Sequence, residues 1–305
     1  MASPFRNPPA APPTWVPAKI WQDIEATGTD AFLAAWSPRL RLERWGSTLR
    51  AVPSQPDTLP CDASLLSPPA EISWKPERIL WQVEGERTAR HLAGDGWELE
   101  ARELGLRYGI DLTPGTAPGL FPDQRENRLH LRSLRPTSLL NLFAHTCAFG
   151  VLAASTGAAT LNIDTSARSL ERGRENYRRN QLEGAVHRFW KEDVRKALPR
   201  LVRRGEHFDA IILDPPTFAH GGRGQAFRIE KELGPMLASC CRLLAPRGAL
   251  LLSINESTTQ TRELEQQVRS TLLQEGIPAR LEPTRRPAEV PATRMPAGLW
   301  VFRED

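Results

Sequence analysis

Three aspartates placed just after short apolar runs carry the chemistry open to this chain. Asp164 closes Leu161-Asn162-Ile163, Asp193 follows Glu192 after Arg188-Phe189-Trp190, and Asp214 closes Ile211-Ile212-Leu213. A carboxylate at the end of a buried parallel strand can accept hydrogen bonds from both hydroxyls of a ribose, and Asp164 stands where that group belongs. Asp214 leads into Pro215-Pro216-Thr217-Phe218. Two prolines directly after a strand fix the backbone and leave carbonyls that no local N–H partners. Such carbonyls, a carboxylate and an aromatic face together can hold a planar base by its edge and ring. The competing reading is a rigid turn leaving a strand. Residues 219–228, glycine-rich and basic, read either as a segment closing over a substrate and touching phosphate or as an ordinary connection.

The turn upstream of Asp164 narrows the ligand. Asn141-Leu142-Phe143-Ala144-His145-Thr146-Cys147-Ala148-Phe149-Gly150 lacks the G-x-G-x-x-G pattern. A pyrophosphate would therefore miss its close backbone approach and its seat at a helix end. Adenine, ribose and a small zwitterionic tail fit better, which describes S-adenosylmethionine.

These residues need a sheet to bring them together. Short apolar runs spaced by helix-like segments read as buried parallel strands of βαβ units. The expected strands are 138–143, 159–163, 188–190 (ending at Glu192-Asp193), 208–213 and 249–254, then a helix over 262–273 and last strands near 279–282 and 299–302. The fold class expected is α/β, a Rossmann-like seven-stranded sheet, with ligands at the carboxyl ends of its strands. Ser166 is placed to cap a helix on which Leu170, Gly173 and Tyr177 share a face. Its opposite face carries Arg168, Arg172, Arg174, Arg178 and Arg179 beside Glu171 and Glu175, read as solvated, Glu-paired surface in preference to an RNA contact.

Before the sheet the text is irregular. Residues 1–18 carry too much proline to pack and are expected to be disordered. Residues 19–112 form a small N-terminal region with strands at 79–83, 96–100 and 106–111, and residues 113–305 form the main domain. Trp21, Trp36, Trp45, Trp74 and Trp81 are expected to anchor a small core, and Asp123 to cap the helix entering the main domain.

At 305 residues, 25% of them charged, with net charge +4, the chain has ordinary globular composition and modest affinity for polyanions. No apolar run reaches the roughly 20 residues needed to span a bilayer, and the first 13 have no signal core, so a cytoplasmic location is expected. Cys61, Cys147, Cys240 and Cys241 lack metal-ligand spacing and read as reduced thiols; no metal site is expected.

Taken in order, Gly119-Leu120-Phe121-Pro122-Asp123-Gln124-Arg125, Asn141-Leu142-Phe143-Ala144-His145-Thr146, Asp164-Thr165-Ser166, Glu192-Asp193 and Asp214-Pro215-Pro216-Thr217-Phe218 make a specific set. Over residues 105–302 the chain resembles the class I S-adenosylmethionine-dependent methyltransferases that modify bacterial large-subunit ribosomal RNA, nearest the guanine-N7 branch, with the cytosine-C5 branch a cousin. The resemblance implies that Asn141, Phe143, Ala144 and Thr146 line the methionine side of the cofactor. Asp164 with Ser166 would sit at the ribose and Asp193 at the adenine amine. Phe121, Gln124 and Arg125 would cover the pocket. Asp214, Pro215, Pro216 and Phe218 would stand by the transferred methyl and the target base.

Two departures bear on chemistry. Cys147 stands where the family usually has glycine, so either a side chain crowds the methionine tail or the turn takes a non-glycine conformation, with Ala148 and Gly150 giving room. Methylation at C5 of a pyrimidine needs a cysteine nucleophile. Neither Leu252-Ser253-Ile254-Asn255-Glu256 nor 214–218 contains one, and Cys240 and Cys241 read as core. A nitrogen acceptor needs only alignment and removal of a proton, with Asn255 available to bond the base edge. The function expected is methyl transfer to a base nitrogen of RNA, ribosomal in type. The alternatives are a protein or small-molecule methyltransferase and an inactive cofactor- or RNA-binding module.

Overall fold

The computed structural model describes residues 12–54, 66–83, 89–216, 229–254 and 261–305. They fall into two compact units, Met1–Pro122 with Ala288–Val290, and Asp123–Pro287 with Pro291–Asp305.

The first unit holds β1 (Thr14–Trp15), α1 (Ala18–Ala26), β2 (Ala31–Trp36), β3 (Leu40–Trp45), β4 (Thr48–Pro53), β5 (Arg78–Gln82) and β6 (Ala89–Ala93), the six strands forming one sheet in chain order. Neighbours are antiparallel except β4 and β5. A separate hairpin joins β7 (Glu98–Glu103) to β8 (Leu106–Asp111) through Leu104 and Gly105, both at positive φ as a two-residue hairpin turn requires. Trp21, Trp45 and Trp81 are buried, and the Trp21 ring meets Phe32 edge-on at 4.7 Å, so these tryptophans are core as expected. Glu43 lies between Arg41 and Arg50 and accepts from the Trp45 indole; although burial opposes it, these partners hold its carboxyl at about 2. Residues 14–18, expected to be disordered, instead form β1 and the start of α1, because Val16 and Trp15 supply apolar surface that the proline count hid. Strands β2, β3, β4 and β6 lie outside the expected set, and the strand expected at 96–100 starts at Glu98, since Gly96 lies at φ +82° and breaks the extension.

The second unit holds α2 (Arg125–Leu134), β9 (Ser138–Leu142), α3 (Ala148–Ser155), β10 (Ala159–Asp164), α4 (Ala167–Arg179), β11 (His187–Lys191), α5 (Val194–Arg203), β12 (Phe208–Leu213), α6 (Ile229–Leu243), β13 (Leu244–Ile254), α7 (Thr261–Glu275), β14 (Ala279–Pro283) and β15 (Ala297–Arg303). Its seven strands run in the order β11-β10-β9-β12-β13-β15-β14, parallel except where β15 pairs with β13 and β14. The chain leaves β9 toward β10 on one side and returns to β12 on the other, which puts the switch point of the sheet between the carboxyl ends of β9 and β12.

Helix α5 shows how the core is assembled. Val194, Ala197, Leu198 and Leu201 recur at helical spacing and are buried against Leu161, Ile163 and Leu213 in one apolar cluster. Each such leucine contributes roughly 1.5–3 kcal/mol of burial. All seven expected strands are present within about two residues, except that β13 starts at Leu244; its register with β12 becomes regular only from Ala249, after Arg247 at φ +61°. Asp123 is not the cap of α2: a 3-10 turn, Pro122–Gln124, precedes it and Gln124 takes the cap position without a side-chain bond.

Candidate active site

The turn from β9 to α3 carries the strain in this region. Phe143, His145 and Cys147 lie at φ +54°, +46° and +62°, alternating with Ala144 and Thr146. Side-chain-bearing residues there cost of order 1 kcal/mol each and persist only where surroundings over-determine them. The bonds that do so are specific. Ala144 N donates to Ile163 O at 3.0 Å, Cys147 N to Ala144 O at 2.7 Å, and Asn176 Nδ2 on α4 to Thr146 O at 3.0 Å. His145 N donates to Asp164 Oδ2 at 2.8 Å. Burial holds His145 down at about 4 against the pull of Asp164, so its ring is neutral at pH 7.

Cys147 keeps the left-handed glycine-type conformation, which overturns the reading that the turn changes shape there. Its thiol is buried and packs back on α4: a Cβ at Gly173 would lie 2.5 Å from Cys147 Sγ. Gly150 on α3 is as constrained, since a Cβ would lie 2.3 Å from Asn162 Oδ1 and 2.6 Å from the Tyr177 hydroxyl. Behind the turn runs a buried polar network. Asn141 Nδ2 donates to Asn162 Oδ1 at 2.9 Å, Asn162 Nδ2 donates to the Tyr177 hydroxyl at 3.1 Å, and Thr160 Oγ1 meets that hydroxyl at 2.7 Å. Asn141 thus uses its side chain to tie β9 to β10.

Asp164 ends β10. Its Oδ1 accepts from Ser166 N and its Oδ2 from His145 N, both at 2.8 Å. Each carboxylate oxygen accepts about two bonds, so among the described residues one acceptor site is left on each, a match for the two hydroxyls of a ribose. Ser166 caps α4 by accepting from Ser169 N at 3.1 Å. Asp193 is more heavily engaged: it caps α5 through Arg195 N, and its oxygens take Arg195 Nε at 2.9 and 3.1 Å and Nη2 at 2.6 Å. Those bonds to Arg195 hold its carboxyl below the usual range and fill most of its acceptor sites.

Asp214 directly follows β12, across β9 from Asp164, with Pro215 buried and Pro216 exposed. Burial pushes its carboxyl up to about 7, and Asp123 adds to that, while a hydrogen bond from Ser253 on β13 and the Arg128 guanidinium oppose it. Gln124 Nε2 donates to Ser253 Oγ at 2.8 Å, so the Gln124 amide is committed inside the unit. Arg125 is buried and lies 3.5 Å from Glu126. Phe143 packs on the apolar cluster, Ala144 and Thr146 are buried, and Phe121 is exposed. Phe218, Asn255, Cys61 and residues 219–228 lie outside the described residues.

The structure therefore gathers Phe143, Ala144, Thr146, Asp164 and Asp214 at the carboxyl ends of β9, β10 and β12. Sequence reasoning gave Gly150 and Gly173 places in the turn and on the packed face of α4, but missed the bonds made by His145, Asn162 and Asn176. No local signal marks them, because their roles depend on what lies across the turn. Cys147, Cys240 and Cys241 are buried, and burial raises their thiols, that of Cys241 to about 12. Cys240 and Cys241 sit in the apolar cluster as expected.

A doubly wound sheet with an aspartate at the end of its second strand and an aspartate-proline corner after its fourth places both carboxylates where proteins of the α/β class bind their ligands. Residues 79–302 match the S-adenosylmethionine-dependent methyltransferase family, and the chain belongs to it. It is 35% identical over 202 residues to ribosomal RNA large subunit methyltransferase I of Tolumonas auensis, covering 65% of this chain and 50% of that protein. It is 30% identical over 247 residues to a ribosomal RNA large subunit methyltransferase of Deinococcus radiodurans, covering 80% of this chain and 58% of that one. The chain spans about half the length of the curated relatives it matches. Among solved structures, a SAM-dependent methyltransferase from Agrobacterium tumefaciens superposes with a TM-score of 0.71 at 24% identity over 90% of both chains, which shows the shared fold.

Proposed function

We propose that this chain moves the methyl group of S-adenosylmethionine to a nitrogen of an RNA base, in RNA of the ribosomal type. The observation that carries the reading is Asp214-Pro215 at the switch point, a desolvated carboxyl separated by β9 alone from the ribose-competent Asp164. Bound S-adenosylmethionine supplies an electrophilic methyl on its sulfonium. Asp164 accepts from the ribose hydroxyls, while the strained turn at Phe143, Ala144 and Thr146 borders the methionine side. Asp193 reaches the adenine amine only if Arg195 gives up part of its hold. Asp214 accepts a hydrogen bond from the target base and steadies it for in-line attack, with the carbonyls of Pro215 and Pro216 beside it. Nitrogen is favoured over C5 because the described cysteines are buried with raised thiols. The two large-subunit ribosomal RNA methyltransferases named above support RNA as the acceptor.

Calorimetric titration with S-adenosylmethionine, then methyl incorporation into ribosomal RNA stripped of modification, tests the reading. Asp214→Ala is expected to abolish transfer while leaving cofactor affinity within about tenfold, or ~1.4 kcal/mol. Normal transfer by that variant would remove Asp214 from the target pocket. Transfer to protein but not RNA would replace the substrate.

A further inference from the structure

We infer that a one-way hydrogen-bond relay, Trp300 to Asn127 to Gln124 to Ser253, fixes Asp214 as an acceptor, and that Gln124 and Ser253 are positioning residues for it. The inference rests on the role proposed above for Asp214, but the bonds from Trp300 to Ser253 stand on geometry and the step to Asp214 on strand register. The Trp300 indole N–H donates to Asn127 Oδ1 at 3.1 Å, Asn127 Nδ2 to Gln124 Oε1 at 2.7 Å, and Gln124 Nε2 to Ser253 Oγ at 2.8 Å. Leu213 pairs with Leu252, so Ser253 stands next to Asp214 on the neighbouring strand, where its hydroxyl favours the ionised Asp214 carboxyl. Every member from Trp300 to Ser253 is no more than 3% exposed.

The direction follows from the end of the chain. An indole N–H can donate but never accept, so the Asn127 atom it meets must be the amide oxygen. Asn127 then has only its NH2 to offer Gln124, whose oxygen is thereby taken and whose NH2 turns to Ser253. A serine that accepts from Gln124 has its own proton left for Asp214. Amide orientations, ordinarily interchangeable, are settled here by one donor-only partner, one bond from Asn127 and two from Gln124. Every dipole points at Asp214, an arrangement in which each bond strengthens the next. The groups facing Asp214 are Ser253 from β13, Arg128 from α2 and Asp123 from the turn before it; the first two favour its ionised form and the third opposes it. The relay thus reaches from β15 through α2 to β13 and offsets part of the cost that burial places on the ionised carboxyl. The isolated amide of Gln124 is spent on this task rather than on a ligand.

The test reads Asp214 directly. The titration midpoint of its carboxyl is followed by 13C NMR in the full chain with labelled aspartate, the resonance assigned through Asp214→Asn. Ser253→Ala is expected to move the midpoint upward by about one pH unit, and Ser253→Thr, which keeps the hydroxyl, to restore it. Gln124→Leu is expected to move it the same way by less. If Ser253→Ala leaves the midpoint in place, the relay is overturned; if only Gln124→Leu does, the part beyond Ser253 is overturned. A shifted midpoint in a protein that methylates no RNA would leave the relay standing and remove the substrate reading. Should Asp214→Ala destroy transfer while the serine and glutamine variants titrate like the parent, the reverse holds.

Discussion

Asp214 is the residue at which stability and activity pull apart. Its carboxyl, pushed up to about 7 chiefly by burial, binds a proton more tightly in the fold than in the unfolded chain, whose value is the ordinary 3.8. The sign follows from linkage: the fold gains on the unfolded state as pH falls from 7 toward 3.8 and is penalised above 7. Asp214→Asn removes that penalty. It is expected to raise stability at pH 8 by roughly 1–3 kcal/mol and to change little at pH 4, as read by urea unfolding at both pH values. Equal effects at the two would show that the carboxylate is not what the site strains against. A carboxyl whose ionisation its surroundings resist is one signature of a site kept for chemistry rather than for folding.

At the scale of elements, the turn at 143–147 and helix α4 form one mechanical unit. The left-handed Cys147 and the missing side chain at Gly173 fit each other, because any Cβ at Gly173 would meet Cys147 Sγ at 2.5 Å. Alanine in a helix interior ordinarily gains about 1 kcal/mol over glycine. Gly173→Ala is expected to lose ~1–3 kcal/mol instead through overpacking, and to weaken S-adenosylmethionine binding as the turn shifts. In a Cys147→Gly background the same change is expected to be neutral or stabilising. A thermodynamic cycle by denaturant unfolding measures the coupling; additive effects would mean the two residues do not share the space. The arginine face of α4 behaves as its composition suggests: Glu171 pairs with Arg174 and Arg178, and Glu175 with Arg178 and Arg179.

For the molecule as a whole, the proposed RNA substrate has a consequence that no single residue carries. A chain of net charge +4 that engages RNA phosphates must release counterions, so its affinity for RNA is expected to fall steeply between 50 and 200 mM salt. S-adenosylmethionine binding should change far less over that range. Filter binding and calorimetry at stepped salt separate the two, and a salt-independent RNA affinity would count against the substrate. Among the described residues no helix is long and apolar enough to cross a membrane.

What could be read in advance was whatever depends on neighbours in sequence. The apolar runs ending at Asp164 and Asp214 announced β10 and β12, and Ser166 announced its cap, because strand burial and capping are decided within a few residues. The motifs in their order pointed to the S-adenosylmethionine-dependent methyltransferase family without any coordinates. The tertiary structure alone decided the left-handed Phe143, His145 and Cys147, the commitment of Gln124 to Ser253 and of Asn141 to Asn162, and the strands β1 to β4 and β6. The reason is physical: a strained dihedral or the direction of a buried amide is set by partners brought close only when the sheets assemble, and such partners leave no periodicity in the chain that precedes them.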